Sequence, residues 1–168
     1  MKIIRIISRF ILGFTFIFSG FVKAVDPLGS AYKLADYFTA FKLGFLDSLS
    51  LPLGMFLAAF ELVLGIVLIL GYQKRITAWV LLFFMSFFTI LTLLLAIFNP
   101  VTDCGCFGDA IIMSNWQTFL KNIVLMVFVL VVFYDRKRAK NVLKITYERS
   151  LILLFFIGSF LLSVFCIN

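Results

Sequence analysis

Five apolar runs divide the chain, roughly Ile6–Val25, Leu51–Leu70, Ile76–Phe98, Trp116–Tyr134 and Leu151–Cys166, and short charged segments separate most of them. A helix rises 1.5 Å per residue, so about 20 apolar residues cross a hydrocarbon core about 30 Å thick. The fifth run is the shortest, and its outer end is expected to continue past Asn168. A soluble fold cannot absorb these runs. Apolar residues make up 64% of the 168 positions, 23 of them Phe, against about 45–50% in ordinary domains. Small folds stay surface-rich and cannot hide that much apolar area, and disordered chains are polar. No alternation of period 2 persists, and no fixed-period repeat is evident. The expected fold is therefore an all-α integral membrane protein: a four-helix transmembrane bundle plus a fifth C-terminal transmembrane helix.

Charge placement orients it. Eleven of the fifteen Lys and Arg lie at the amino terminus (Lys2, Arg5, Arg9), between runs two and three (Lys74, Arg75) or between runs four and five (Arg136, Lys137, Arg138, Lys140, Lys144, Arg149). That is the bias that keeps loops cytoplasmic, not the basic groove of a nucleic-acid binder. Segment 23–50 balances three Lys with three Asp, and segment 99–115 carries Asp103 and Asp109 without a Lys or Arg, so both are external. The amino terminus is inside and the carboxyl terminus outside. The first run reads as an uncleaved anchor, since it is long and Val22-Lys23-Ala24 is a weak cleavage site.

The first external loop starts with a turn at Asp26-Pro27, after which Leu34, Phe38, Phe41 and Phe45 recur at i, i+4, i+7 and i+11. This spacing predicts an amphipathic interfacial helix with its Phe stripe toward lipid or over the bundle. It serves either as a cap on the bundle or as a lid over a lipid-accessible cavity.

The third run ends at Asn99-Pro100, and Val101-Thr102-Asp103-Cys104-Gly105-Cys106-Phe107-Gly108-Asp109 follows. Cys104, Cys106 and Cys166, all the cysteines present, fall on the external side, which is oxidising in a bacterial envelope. Cys-Gly-Cys can close a very small, strained ring, and strained exposed disulfides are the labile, oxidising kind. Gly105 provides the backbone freedom. Asp103 and Asp109 work against thiolate formation, so activation needs Lys23, Lys121 or a helix start. Other readings stand beside redox chemistry. The cysteines could be inert buried residues, or one could pair structurally with Cys166. A metal site is the weakest alternative, because two soft ligands fall short of the usual four. With no His in the chain, His-ligated haem and the usual catalytic metal sites are excluded.

Glu61 is the acidic residue deep inside a run, and Gly54, Ala58, Glu61 and Gly65 share one face of that helix. Small residues permit close helix approach, which turns Glu61 toward the bundle. An intramembrane carboxylate marks a functional site by default, here a proton relay or a contact to a polar head group or quinone oxygen. The alternative is a structural hydrogen bond. Lys23 is a candidate partner, unless it snorkels to the interface. Gly13 and Gly20 suggest a packing seam, Ser86 and Thr89 can hydrogen-bond to neighbours, and Trp116 reads as an interface anchor.

Leu12-Gly13 through Phe18-Ser19-Gly20-Phe21-Val22-Lys23, then Glu61-Leu62-Val63-Leu64-Gly65, and above all Asp103-Cys104-Gly105-Cys106-Phe107-Gly108 resemble the DoxX-like membrane proteins, most closely the MauE (methylamine utilisation protein) branch, over about residues 1–135. The resemblance implies a four-helix bundle in the bacterial inner membrane and a role in periplasmic thiol–disulfide chemistry, with Cys104 and Cys106 as the redox pair. MauE is linked to maturation of a disulfide-rich enzyme, and a thiosulfate:quinone oxidoreductase subunit in the wider family makes quinone the implied acceptor. The chain then divides into a MauE-like membrane domain, 1–135, a basic cytoplasmic linker, 136–149, and an extra transmembrane helix, 150–168. That helix departs from the family pattern. It implies either a following periplasmic thioredoxin-like domain or a separate thioredoxin-like or other envelope protein as partner.

The leading expectation is an inner-membrane thiol–disulfide oxidoreductase, with Cys104 and Cys106 in exchange, Glu61 as proton relay and quinone as coupled acceptor or donor. The alternative is a non-enzymatic subunit that scaffolds an envelope complex, its cysteines structural. A small-molecule carrier ranks last, for want of an inverted repeat. No haem, metal or nucleic acid is expected.

Overall fold

The computed structural model describes residues 2–71, 74–99, 101, 105–109, 111, 113–134 and 145–167. Its helices are α1 (Lys2–Val25), α2 (Pro27–Ala40), α3 (Ser50–Leu70), α4 (Lys74–Phe98), α5 (Asn115–Tyr134) and α6 (Ile145–Ile167). A 3-10 turn covers Gly44–Leu49, and a short strand β1 covers Cys106–Asp109. Among the described residues four segments are long and apolar enough to cross a membrane: Ile3–Val25, Gly44–Leu70, Arg75–Phe98 and Asn115–Tyr134. They coincide with four of the five apolar runs. In α6 the apolar stretch is shorter, Ile152–Ile167. Helix α6 already begins at Ile145, within the segment expected as a linker; residues 135–144 lie outside the described residues.

Leu12, Phe16, Leu64, Leu68, Leu81, Met85, Leu125 and Val129 form the core, drawn from α1, α3, α4 and α5. Helix α6 packs on α3, setting Ile152 and Phe156 against Val63 and Val67. Phe14, Phe83, Phe87, Ile90 and Val127 are each more than half exposed. An apolar surface of that extent fits lipid and not water. The chain is a multi-pass membrane protein.

The tightest contact joins α1 to α3 and rests on small residues. A Cβ on Gly20 would lie 2.5 Å from the Leu62 nitrogen and 2.7 Å from the Ala58 oxygen. One on Gly65 would lie 2.7 Å from the Gly13 oxygen. Backbone meets backbone here, as in small-residue seams of membrane helices. At the far end of this pair Arg9 donates to the Leu68 carbonyl at 3.0 and 2.9 Å and to the Ile69 carbonyl at 3.0 Å. It satisfies carbonyls that the end of α3 leaves open, while Gly71, at φ 72°, turns the chain out of the helix.

The first loop departs from expectation in two ways. Asp26-Pro27 opens a helix, not a free turn: Asp26 Oδ1 accepts the Gly29 N–H at 2.9 Å, and Pro27 takes the first helical position. The predicted stripe also stops early. The Leu43 N–H closes on the Phe38 carbonyl at 2.6 Å, Lys42 takes φ 59°, and the chain leaves α2 before Phe45, which is exposed in the 3-10 turn. Leu34, Phe38 and Phe41 keep to one side and roof a cavity in the bundle.

Helix α4 ends at Phe98, where the Asn-Pro sequence predicts a stop, with Asn99 at φ 46°. The Asn115 amide donates to Asn99 Oδ1 and to the Val101 carbonyl, both at 2.7 Å, and ties the start of the cysteine loop to α5. Strand β1 is a feature that periodicity did not give, because four residues are too few for alternation to register.

Candidate functional site

The small-residue seam brings one turn of α1 against the middle of α3. Ser19 and Lys23, four residues apart on α1, reach Glu61. All three are buried, Lys23 at 6% and Glu61 at 5% exposure. Lys23 Nζ stands 2.7 Å from Glu61 Oε2, an ion pair within the bundle. Neither charge would survive there alone, so the pair is an obligate unit.

The pair also holds the cysteine loop. Lys23 Nζ donates to the Cys106 carbonyl at 2.7 Å and to Ser19 Oγ at 2.7 Å. With Glu61 these contacts use all three ammonium protons. Ser19 Oγ lies 2.6 Å from Glu61 Oε2 and 2.7 Å from the Cys106 carbonyl, and its single proton serves one of them at a time. Irregular backbone is tolerated inside a membrane protein only where its polar groups are satisfied. Here Lys23 and Ser19 satisfy the Cys106 carbonyl. The contacts to Glu61 fall on Oε2, and Oε1 has no hydrogen-bond partner among the described residues.

Two further contacts fix the loop. Gly105 takes φ 60°, where a Cβ would meet Lys33 Cγ at 2.8 Å, so the Lys33 stem lies against the backbone. The Phe107 ring sits edge-on to Phe18 at 5.5 Å, with Lys121 Nζ 4.3 Å from its centroid. Lys23, Lys33 and Lys121 thus surround Gly105-Cys106-Phe107. The loop sequence carries no Lys or Arg, and α1, α2 and α5 bring these three lysines to it.

Cys106 is half-buried and lines a cavity of about 270 Å³ together with Ser19, Lys23, Glu61 and Asn122. Asn122 is held by Thr92, its amide donating to Thr92 Oγ1 at 3.1 Å. The remaining wall is mainly apolar and aromatic, including Phe16, Tyr37, Phe38, Phe84 and Phe88. A cavity of this kind, apolar with a few converging polar groups at one end, is the usual form of a small-molecule site.

Of the residues singled out in the sequence, Cys106, Glu61, Lys23 and Lys121 come together around this cavity, and Asn122 joins them there. Cys104 and Asp103 lie outside the described residues. Cys166 is exposed near the end of α6. Thr89 returns its hydroxyl to the Met85 carbonyl of its own helix. Ser19 and Lys33 are the participants that sequence reasoning missed as site residues. The Ser19–Lys23 spacing, one helical turn apart and ahead of the acidic helix, is the signal that could have found the first. Among the described residues no group of three or more Cys, Asp or Glu stands together as a metal site.

The sequence model of the family described as methylamine utilisation protein MauE matches residues 1–135, which hold all of α1 to α5 and the whole cavity. No curated protein and no solved structure matches the chain.

Proposed function

This chain belongs to the methylamine utilisation protein MauE family, and from that premise and the site geometry we propose that it is an inner-membrane thiol–disulfide oxidoreductase coupled to quinone. The observation that carries the reading is the Lys23 ammonium, bonded at once to the Glu61 carboxylate and to the Cys106 carbonyl at the wall of an apolar cavity. Thiol loop, carboxylate and cavity meet at one point.

In this reading a thiolate of a reduced periplasmic partner attacks the Cys104–Cys106 disulfide and forms a mixed disulfide. The partner's second thiol displaces it, leaving the partner oxidised and Cys104 and Cys106 as thiols. A quinone, which Lys23, Glu61 and Asn122 at the polar end of the cavity would hold, would supply the two-electron, two-proton oxidation that re-forms the disulfide and would itself become quinol. With a quinol the same steps run in reverse. Lys23, Lys33 and Lys121 favour the thiolate by their charge. Glu61 Oε1, with no protein partner among the described residues, is the atom that takes up and hands on the thiol proton, while Lys23 and Ser19 hold Oε2. The cavity fits the quinone ring by its aromatic walls and its donor-bearing polar end.

The membrane placement follows the charge bias: amino terminus in the cytoplasm, cysteine loop in the periplasm, α2 at the outer interface, and α6 as a fifth span returning the chain to the periplasm. The periplasmic partner is a thioredoxin-like or other envelope protein. Cys104→Ser and Cys106→Ser variants should lose exchange with a dithiol substrate while keeping their helical content and melting temperature. Full exchange in the double variant would overturn the proposal.

One observation favours a second reading. The bonds from Lys23 and Ser19 reach the backbone carbonyl of Cys106, which is what a purely structural loop anchor would do. The chain would then be a non-enzymatic subunit of an envelope complex. Native purification of the double Ser variant with the same partners and the same activity would decide for it.

A further inference from the structure

The wall of the site cavity carries unequal charge. Among the described residues it holds the ammonium groups of Lys23, Lys33 and Lys121 and a single carboxylate, Glu61. Lys23 and Glu61 cancel at 2.7 Å, and the Lys33 stem lies along Gly105. Lys121 stands apart from both. It is the seventh residue of α5, about 9 Å along a helix apolar enough to cross a membrane. A lysine so placed commonly snorkels its ammonium out to water. Lys121 turns inward instead: Nζ lies 4.3 Å from the centre of the Phe107 ring, which is packed edge-on against Phe18 of α1. The ring offers only a π-face. Among the described residues Lys121 has neither an ion pair nor a hydrogen bond. Three N–H donors and a full charge therefore stand at the cavity wall without an acceptor. A charge drawn into an apolar bundle calls for a counter-charge.

We propose that the cavity binds a small organic acid, its carboxylate against Lys121 and its apolar body against the aromatic wall. Charge sets the first property. Lys121 adds one positive charge to a pair that is already balanced, so an anion is held where a neutral group gains only a donor. The donor count sets the second. Two carboxylate oxygens can be met by three ammonium protons, whereas the three terminal oxygens of a phosphate ester ask for more. The rest of the wall sets the third. Phe38 of α2 and Phe84, Phe88 and Leu91 of α4 line it, so the acid carries a ring or a short alkyl body. Size sets the fourth. About 270 Å³ lies at the small end of ligand cavities, which run about 300–1,000 Å³, and takes one or two rings but not a lipid with two acyl chains. The inference goes beyond the redox reading and needs none of its steps. An acid and a quinone would compete for the one cavity.

The test is photoaffinity labelling of the full chain in phosphatidylcholine nanodiscs, whose lipid has no net charge. The probes are benzoylbenzoate and its neutral amide. The acid should label peptides containing Phe84, Phe88 or Leu91 at a concentration about ten-fold below the amide. Unlabelled naphthoate should remove that label, and phenyl phosphate and palmitate should compete less well. Lys121→Gln keeps the donors and loses the charge. It should raise the half-labelling concentration of the acid about ten-fold and leave that of the amide unchanged, while Lys121→Arg should label like the parent. The parent's comparison of acid with amide stands by itself if the Gln variant does not fold. Equal labelling by acid and amide, acid labelling unchanged in Lys121→Gln, or label spread over the lipid-facing surface around Phe14 and Val127 would overturn the proposal. Stronger competition by phenyl phosphate would overturn the carboxylate, and stronger competition by palmitate would make the occupant a membrane fatty acid and overturn the small body. Acid labelling that a tail-less quinone never displaces would keep the acid site and count against a quinone in this cavity. Absent acid labelling, with cysteines that respond to quinone, would do the reverse.

Discussion

Lys23 carries three bonds at once, to Glu61, Ser19 and the Cys106 carbonyl, so its loss has three consequences. Lys23→Met or Glu61→Leu leaves one charge buried without its partner, and each should cost ~3–5 kcal/mol of stability. The double variant, which removes both charges, should recover much of that loss. Thermal unfolding of the detergent-solubilised chain as a double-mutant cycle checks this. Single variants that melt like the parent would remove the pair from the account. Part of this unit was legible in the sequence. Glu61 shares a face with Gly54, Ala58 and Gly65, so it had to point inward, and Lys23 stood at the right end of α1 to meet it. The bond from Lys23 to the Cys106 carbonyl was not legible, because it joins residues 83 apart in sequence through a backbone atom. Ser19 was hidden for another reason: a lone hydroxyl in an apolar helix usually bonds its own preceding turn, as Ser8 and Thr15 do here.

At the scale of elements, the α1–α3 seam positions the site. Gly20→Leu sets a side chain against the Leu62 and Ala58 backbone, which cannot yield as a side chain tip would. It should destabilise by at least ~1–3 kcal/mol and separate Ser19 from Glu61. Gly158→Ala in α6 is the matching control, since nothing lies within 4 Å of the added carbon. It should leave stability unchanged or raised by ~0.5–1 kcal/mol. Chemical denaturation of both variants separates a packing seam from a general intolerance of glycine replacement. In the loop, Gly105→Ala forces a side chain into φ 60° and onto Lys33, and should cost ~1–2 kcal/mol. Faster Cys106 alkylation would report the loosened loop. Helix α2 shows how far periodicity reaches. It placed Leu34, Phe38 and Phe41 on one side, but carried the stripe on to Phe45, past a break that a positive φ at Lys42 creates. Nothing in the i, i+4, i+7 pattern marks such a break.

At the scale of the molecule, length and hydropathy alone predict five spans, and among the described residues the structure has four of them at nearly the same places, while the apolar stretch of α6 is shorter. The cavity did not follow. It depends on how the helices pair, α1 with α3 and α4 with α5, and hydropathy carries no information on pairing. The proposed topology puts Cys166 outside. Membrane-impermeant maleimide added to intact spheroplasts should therefore label Cys166 in a Cys104→Ser, Cys106→Ser background, while labelling only after lysis would reverse the orientation of α6. Electron exchange between the proposed cysteine pair and quinone is read by acid-trapped thiol labelling of Cys104, Cys106 and Cys166 in intact cells, with and without respiratory quinone. The account predicts a Cys104–Cys106 disulfide whose occupancy changes several-fold when quinone is withdrawn. Cysteines fixed in one state under both conditions would contradict it and leave the loop as a structural anchor.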